Sequence, residues 1–285
     1  MSAPSGREGS IAVVGGGRMG AGIAQVFLVA GHPVTVCERD DATAEGAVAR
    51  IRVGLGQAAD RGVIDDVDAV MAALRVVADA AHLPGDAVLL VEAVPEEAEL
   101  KRSVLAAAEA VLGPDAVLAS NTSSLSIAGL AGSLTRPERL LGLHFFNPVP
   151  PSQLVEVVVG EATAEDVVRR ATAWVHELGK SAVVVRDSPG FATSRLGVLL
   201  GLEAIRMLEE GVADAATIDR AMELGYRHPT GPLRSTDLIG LDVRLAIAEH
   251  LERELGPRFA PPQLLRDKVA RGELGRKSGR GFYDW

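Results

Sequence analysis

Cysteine is nearly missing from this sequence, since Cys37 is the only one among 285 residues. An intramolecular disulfide and a cysteine-based metal cluster are therefore excluded, because each needs more than one thiol. Cys37 lies in an apolar stretch, where a thiol packs as a small hydrophobic group. We predict a buried, unreactive cysteine and no metal site.

Long hydrophobic runs are also missing. The most hydrophobic stretch after the first strands, Leu196–Leu202, is bracketed by Arg195 and Glu203. It is far shorter than the roughly 20 residues that a helix needs to span a bilayer. Residues 1–9 are polar and predict no secretory signal. We therefore expect no membrane partner and a cytoplasmic protein.

Aromatic residues and positive charge are scarce as well. Aromatic residues make up 4% of the chain against 47% hydrophobic residues in all, so the core must consist mainly of Ala, Val and Leu. The formal net charge is −9. A nucleic acid partner is not expected, because its binding needs a basic face. A chain of this length accommodates one to three domains, and two is the natural expectation.

The strongest positive signal lies near the start, where the apolar run Ser10–Val14 leads into Gly15-x-Gly17-x-x-Gly20. In such a turn Gly15 permits a tight reversal, Gly17 lets the backbone approach a pyrophosphate, and Gly20 lets the helix pack closely. The helix N-terminus then offers N–H groups and a positive dipole end to phosphates. The dinucleotide site predicted in this segment comprises Gly15, Gly17, Arg18, Met19 and Gly20.

A second predicted strand, Pro33–Cys37, ends in Glu38, which lies 18 residues after Gly20. This spacing matches the acidic residue that accepts hydrogen bonds from a ribose diol. A carboxylate at this point repels a 2′-phosphate and favours NAD over NADP, whereas Arg39 beside it could accommodate that phosphate. The sequence predicts NAD as the cofactor.

Strands alternate with helices as far as Arg186, which predicts a parallel, doubly wound sheet. After Asp187-Ser188-Pro189-Gly190 only helical periodicity remains. We therefore predict an α/β Rossmann-type NAD-binding domain at residues 1–186, followed by an all-α substrate and dimerisation domain at 187–285. The helices predicted in the second domain are Phe191–Glu210, Ala215–Leu224, Asp237–Leu255 and Pro262–Arg271.

Polar residues follow the predicted strands at their carboxyl ends, where open α/β sheets bind ligands. Asn121–Ser124 follows one strand and His144–Asn147 ends another. Glu156 comes twelve residues after His144, across a proline-rich turn, and the returning chain can bring the two within hydrogen-bond reach. A lone histidine is more often structural, whereas an imidazole oriented by a carboxylate is suited to general base catalysis near neutral pH.

Six segments of the chain, in order and at matching spacing, resemble 3-hydroxyacyl-CoA dehydrogenase. They are Gly15–Gln25, Ser120–Leu125, His144–Pro148, Leu154–Glu156, Asp187–Phe191 and Gly275–Tyr283. The length is similar to the stand-alone, 3-hydroxybutyryl-CoA type of the family. The resemblance implies NAD-dependent, reversible oxidation of a short-chain (3S)-3-hydroxyacyl-CoA in fatty acid metabolism, as in β-oxidation. It also implies a homodimer formed through the helical domain.

The resemblance further implies roles for individual residues. His144 falls on the catalytic base, and Glu156 falls on the carboxylate that pairs with it. Ser123 falls on a serine that contacts both the substrate and the nicotinamide. Arg61 aligns with a basic residue that meets the CoA phosphates, although a solvated surface arginine is an alternative. The cofactor contacts that the resemblance implies are Glu38, Glu96, Lys101, Ser123, Asn147 and Lys277.

The sequence departs from the family pattern on the substrate side. Ser194 stands where an asparagine usually completes the active site, so Ser194 is assigned there, with a plain helix start as the alternative. Three further departures lie at Ser152-Gln153, Leu199-Leu200 and Arg234. They leave acyl specificity open and allow the same chemistry on an acyl group held by an acyl carrier protein. A non-catalytic NAD-binding protein is a third hypothesis, against which the histidine–glutamate pair argues.

Overall fold

The computed structural model describes residues 9–285, so the expectation of no secretory signal falls almost entirely on residues outside that range. The chain divides into two compact units, one ending at Asp187 and the other running from Ser188 to Trp285. Among the described residues, no helix combines the length and apolar character needed to cross a membrane. The division of cofactor and substrate functions between residues 1–186 and 187–285 stays a prediction.

The first unit is a sheet of eight strands with helices between them. Its strands are β1 (Ser10–Val14), β2 (Val34–Cys37), β3 (Leu74–Val77), β4 (Ala87–Glu92), β5 (Val117–Ser120), β6 (Leu140–Phe145), β7 (Leu154–Val159) and β8 (Ser181–Arg186). Its helices are α1 (Arg18–Val29), α2 (Asp41–Asp60), α3 (Val67–Met71), α4 (Ala98–Val111), α5 (Ile127–Ala131) and α6 (Glu165–Glu177).

The strand order is β3-β2-β1-β4-β5-β6-β7-β8, which confirms the predicted doubly wound, Rossmann-type sheet. One feature of that prediction is wrong, because β7 runs antiparallel to β6. The reason is the length of the connection. A parallel crossover needs about a dozen residues or more, and residues 146–153 can only form a turn back along the sheet. β8 then pairs parallel to β7.

The core of the first unit is aliphatic, as the composition predicts. Ile11, Val13, Leu89 and Leu141 on the central strands are completely buried. Cys37 is buried at the end of β2, as predicted. Burial, with the nearby Asp79 and Glu38 carboxylates, raises the pKa of the Cys37 thiol to about 11. The thiol is therefore protonated at neutral pH and is a poor nucleophile.

The second unit is helical, as predicted. Its helices are α7 (Thr193–Glu209), α8 (Ala215–Tyr226), α9 (Pro232–Ile239), α10 (Leu241–Leu255) and α11 (Gln263–Ala270). The single helix predicted over Asp237–Leu255 is wrong, because the chain breaks at Gly240 into α9 and α10. Gly240 has a φ of 109°, which no helix contains. Apolar side chains continue at helical spacing on both sides of the break, so periodicity alone does not detect it.

Candidate active site

The antiparallel pairing of β6 and β7 sets His144 directly opposite Glu156. The imidazole Nδ1 lies 2.7 Å from Glu156 Oε2, and the Glu156 side chain is completely buried. The carboxylate accepts a hydrogen bond from Nδ1–H, so the neutral imidazole carries its basic lone pair on Nε2. The ring of Phe146 packs 4.5 Å from the imidazole, between ring centroids. The structure thus brings together the two residues that the sequence pairs.

His144 lines a cavity of about 340 Å³ at the carboxyl ends of β4, β5 and β6. The predicted site residues that share this cavity are Met19, Glu96, Ser123, His144 and Asn147. Asn121 lies in the same wall, and its Oδ1 accepts a 3.0 Å hydrogen bond from the Phe145 amide. That bond ties the end of β5 to the end of β6. Sequence reasoning placed Asn121 in a polar cluster but gave it no role.

Glu96 holds the loop that carries Ser123. Its Oε1 accepts from the Thr122 hydroxyl at 2.6 Å and from the amides of Ser123 at 2.9 Å and Ser124 at 3.2 Å. Its Oε2 lies 3.4 Å from the ammonium of Lys101. Partial burial raises the pKa of Glu96, but the Thr122 hydrogen bond, the Lys101 charge and the hydrogen bonds from the Ser123 amide and the Ser124 hydroxyl outweigh it. The pKa is therefore lowered, and Glu96 is ionised at neutral pH.

Lys101 lies beneath Glu96, and its side chain is completely buried. Its Nζ donates to both carboxylate oxygens of Glu92, at 2.8 and 3.1 Å, and to the carbonyls of Val94 and Asn121. The ammonium is enclosed by protein acceptors, so Lys101 does not line the cavity that contains Glu96. The sequence indicates no role for Glu92, because there it is simply the last residue of a predicted buried strand.

A second cavity, of about 770 Å³, surrounds the glycine-rich turn. The predicted cofactor residues that line it are Gly15, Gly17, Arg18, Met19 and Glu38. Gly15 has a φ of 90°, which favours glycine. A Cβ on Gly20 would lie 1.7 Å from the Gly15 carbonyl oxygen, whereas no atom lies within 4 Å of a Cβ built on Gly17. α1 begins beside this open space with no acidic residue in its first turn. The turn therefore fits the pyrophosphate of a dinucleotide.

Glu38 stands at the carboxyl end of β2, and its Oε1 accepts a 2.6 Å hydrogen bond from the Gly16 amide. The carboxylate is thereby fixed in the wall of the second cavity, where it suits a ribose diol. The neighbouring Arg39 is exposed and pairs with Asp40 at 3.1 Å. Arg39 lines the same cavity as Glu38, but its charge is paired with that of Asp40. This arrangement favours NAD over NADP, in which the 2′-phosphate would meet the Glu38 carboxylate.

Arg61 follows α2 and lines a third cavity, of about 530 Å³. Gln25, Gly54, Pro150 and Lys180 also line this cavity. The lysine ammonium donates to the carbonyls of Val149 at 2.8 Å and Pro150 at 3.2 Å, which fixes the turn between β6 and β7. Arg61 itself is exposed and lines the cavity, which suits a residue that binds a phosphate.

Two predicted site residues belong to the second unit. Ser194 is the second residue of α7, as the alternative of a helix start anticipates. Lys277 Nζ lies 2.6 Å from the carboxylate of Asp242. The assignments of Ser194 to catalysis and Lys277 to the cofactor stay predictions. Within residues 9–285, no cluster of three or more His, Cys, Asp or Glu side chains could hold a metal ion.

Comparisons with known proteins match the chain over almost its whole length. The family model for the 3-hydroxyacyl-CoA dehydrogenase NAD binding domain matches residues 10–188, and the model for the C-terminal domain matches residues 190–285. A 3-hydroxybutyryl-CoA dehydrogenase of Mycobacterium tuberculosis is 42% identical over 280 residues, covering 96% of this chain and 98% of the relative.

Two further relatives are similar to the chain. The 3-hydroxyadipyl-CoA dehydrogenase of Escherichia coli is 39% identical over 280 residues, covering 97% of this chain and 59% of the relative. The crystal structure of the (S)-3-hydroxybutyryl-CoA dehydrogenase of Ralstonia eutropha superposes with a TM-score of 0.93 at 36% identity. That match covers 98% of this chain and 99% of the relative.

The two helix-entry glycines should respond differently to alanine. Gly20→Ala should lower the free energy of unfolding by about 1–3 kcal/mol, because its Cβ meets the Gly15 carbonyl. Gly17→Ala is the matched control, since its Cβ enters open space and its φ of −63° suits alanine. It should fold normally but bind NADH more weakly, because the methyl group occupies the phosphate space. Urea unfolding and NADH fluorescence titration measure both effects, and equal stability losses would contradict the assignment.

Glu96→Gln should destabilise the protein mainly at neutral pH. The folded pKa of Glu96 is lowered, so its stabilising effect is complete above the unfolded value of about 4.3 and is lost as pH falls through the folded pKa. The difference in free energy of unfolding between wild type and Glu96→Gln should therefore be constant down to about pH 5 and shrink below it. Urea unfolding at a series of pH values measures this difference. A difference that grows on acidification would contradict the ionised state of Glu96.

Proposed function

Since this chain belongs to the 3-hydroxyacyl-CoA dehydrogenase family, we propose that it oxidises a short-chain (3S)-3-hydroxyacyl-CoA to the 3-oxoacyl-CoA, and catalyses the reverse reaction. The enzyme is an NAD-dependent oxidoreductase. The observation that carries the proposal is the 2.7 Å pair of His144 Nδ1 and Glu156 Oε2 beside the cavity that contains Ser123. A place in β-oxidation and a cytoplasmic location stay predictions.

His144 acts as the general base in the oxidation. Its Nε2 takes the proton of the substrate hydroxyl, and in reduction it returns that proton. Glu156 fixes the tautomer that makes Nε2 basic and stabilises the imidazolium that forms. A completely buried carboxylate suits this task, because its charge is poorly screened by water. Bound NAD supplies the hydride acceptor for the hydrogen on C3.

The other residues of the first unit orient the reactants. Gly15, Gly17 and Gly20 admit the cofactor pyrophosphate to the start of α1, and Glu38 accepts hydrogen bonds from a ribose diol. Ser123 and Asn147 contact the nicotinamide end, and Ser123 also contacts the substrate. Lys101, whose side chain is completely buried, holds Glu96 in place, and the cofactor contact that the resemblance implies for Lys101 stays a prediction. For the second unit, the catalytic role of Ser194 and the cofactor contact of Lys277 stay predictions.

Arg61 binds the phosphates of the CoA carrier, since it is an exposed cation that lines a cavity of about 530 Å³. The family members reported above act on 3-hydroxybutyryl-CoA and 3-hydroxyadipyl-CoA, as their names state, at similar identity to this chain. Acyl specificity thus varies within the family. We assign a short acyl chain here, and the departures at Ser152-Gln153, Ser194 and Arg234 are the positions where specificity would differ.

Turnover of acetoacetyl-CoA with NADH tests the proposal. His144→Ala should lower kcat by at least ~10²-fold, the low end for a general base, while NADH binds nearly as in the wild type. Glu156→Gln should act in the same direction, and the double variant should lose little more, because the pair works as a unit. Near-normal turnover of His144→Ala would remove it from catalysis. Turnover only on an acyl carrier protein thioester would favour the alternative carrier.

The second unit also presents an apolar surface that suits a homodimer. Leu196, Leu199 and Leu200 on α7 are 61%, 37% and 42% exposed. Their spacing places them on one face of the helix. An exposed apolar face of this kind is suited to contact with another protein surface. We assign it to a second copy of the chain.

Leu200→Asp should therefore convert the dimer to monomer, because it places a carboxylate in the apolar contact between the copies. Val53→Asp is the matched control, since Val53 is 62% exposed on α2 in the first unit. It should leave the assembly unchanged. Sedimentation velocity at micromolar concentration measures both. A wild-type protein that sediments as a stable, active monomer would contradict the assignment.

A further inference from the structure

Glu92 is a buried carboxylate for which the proposed function gives no role. Its side chain is completely buried, and both carboxylate oxygens accept hydrogen bonds. Besides the two bonds from Lys101, Oε2 accepts from the Ser120 hydroxyl at 2.6 Å and Oε1 accepts from the Val94 amide at 2.7 Å. Burial raises the pKa of Glu92, and the charge of Lys101 is the strongest influence against that rise.

A line of alternating charges runs from Glu92 to the active-site loop. The Lys101 ammonium lies between the carboxylates of Glu92, at 2.8 Å, and Glu96, at 3.4 Å. Oε1 of Glu96, the oxygen that does not face Lys101, accepts hydrogen bonds from the amides of Ser123 and Ser124. Both residues belong to the Ser123 loop, which we define as residues 121–125. The Asn121 carbonyl also accepts from Lys101, at 3.3 Å. Each group in the line therefore has its position fixed by the next.

Stability alone is a weak reason for this arrangement. A buried ion pair often contributes no more than well-packed apolar side chains of the same volume would. The arrangement does restrict geometry, because the ammonium is shared between two carboxylates. Among residues 9–285, Glu96 would be the remaining anion paired with Lys101 if the Glu92 charge were removed. The carboxylate of Glu96 would then be drawn toward the ammonium and away from the loop amides.

We propose that Glu92 is a positioning residue for the reaction, acting through Lys101 and Glu96 to hold Ser123 in place. This inference rests on the proposed function, in which Ser123 contacts the substrate and the nicotinamide. Glu92 itself touches neither, because its carboxylate is enclosed by Lys101, Ser120 and the Val94 amide.

Glu92→Gln tests the proposal. It should lower kcat for acetoacetyl-CoA reduction by about 10- to 100-fold, as expected when a reacting group is displaced by a fraction of an ångström to one ångström. Ser120→Ala, which removes one hydrogen bond to Glu92 and little volume, should lower kcat less. Ser120→Ala serves as the test variant if Glu92→Gln does not fold. In either variant the amides of Ser123 and Ser124 should exchange hydrogen faster, as measured by mass spectrometry.

Glu109→Gln is the matched control. Glu109 forms a comparably buried pair with Arg139 at 3.2 Å, with side chains 9% and 6% exposed. Glu109 also accepts hydrogen bonds from the amides of Thr135 and Arg136, which lie before β6 and outside the Ser123 loop. Its replacement should lower stability without changing kcat per folded molecule or exchange at Ser123. A comparable fall of kcat in Glu109→Gln would show general destabilisation and overturn the proposal.

A double-mutant cycle with Ser123→Ala separates this inference from the proposed function. If Glu92 acts through Ser123, the kcat loss caused by Glu92→Gln or Ser120→Ala should largely disappear in the Ser123→Ala background. Additive losses would overturn the positioning role and leave the proposed function standing. A normal kcat for Ser123→Ala alone would remove Ser123 from the proposed function, and the positioning role of Glu92 with it.

Discussion

The reversal of chain direction between β6 and β7 is the constraint on which the candidate site depends. Had the connection crossed over to give a parallel strand, the carboxylate of Glu156 would not stand across from His144. The antiparallel register instead makes the two residues cross-strand neighbours, which is the closest fixed relation that a sheet offers. The Lys180 ammonium binds the carbonyls of the connecting turn and so supports the same reversal.

Three carboxylates at the carboxyl edge of the sheet show how the first unit positions negative charge. Glu38 accepts the Gly16 amide, Glu96 accepts the amides of the Ser123 loop, and Glu156 accepts the imidazole of His144. In each case a donor from a different segment fixes the carboxylate. Each of these carboxylates thus joins two segments of the first unit, so the hydrogen bonds that hold the segments together also set the geometry of the candidate site.

Much of this arrangement could be predicted from the sequence, because the signals are local. The run Ser10–Val14 before the glycines, and Glu38 after the next strand, predict strand, turn and helix from neighbouring residues. The pairing of His144 with Glu156 could be anticipated because the proline-rich turn between them is short. The direction of β7 was missed, since alternation of strands with helices was extended across a connection that contains no helix.

Other features could not be predicted from the sequence, because they depend on how the folded chain is arranged. The break at Gly240 depends on a backbone φ of 109°, which leaves no trace in the hydrophobic spacing of the residues around it. Glu92 looks like the polar end of a buried strand, and only the packing of α4 brings Lys101 against it.

The burial of Lys101 shows how the protein's own acceptors can favour one type of side chain. A buried ammonium has three N–H groups to satisfy, and here two carboxylates and two backbone carbonyls surround it. A guanidinium is planar and larger, so arginine would not fit the same acceptors. The protein's own acceptors thus favour lysine at this position, and its cofactor contact stays a prediction. The buried lysine still supports the candidate site, because the neighbouring Glu96 accepts hydrogen bonds from the loop that contains Ser123.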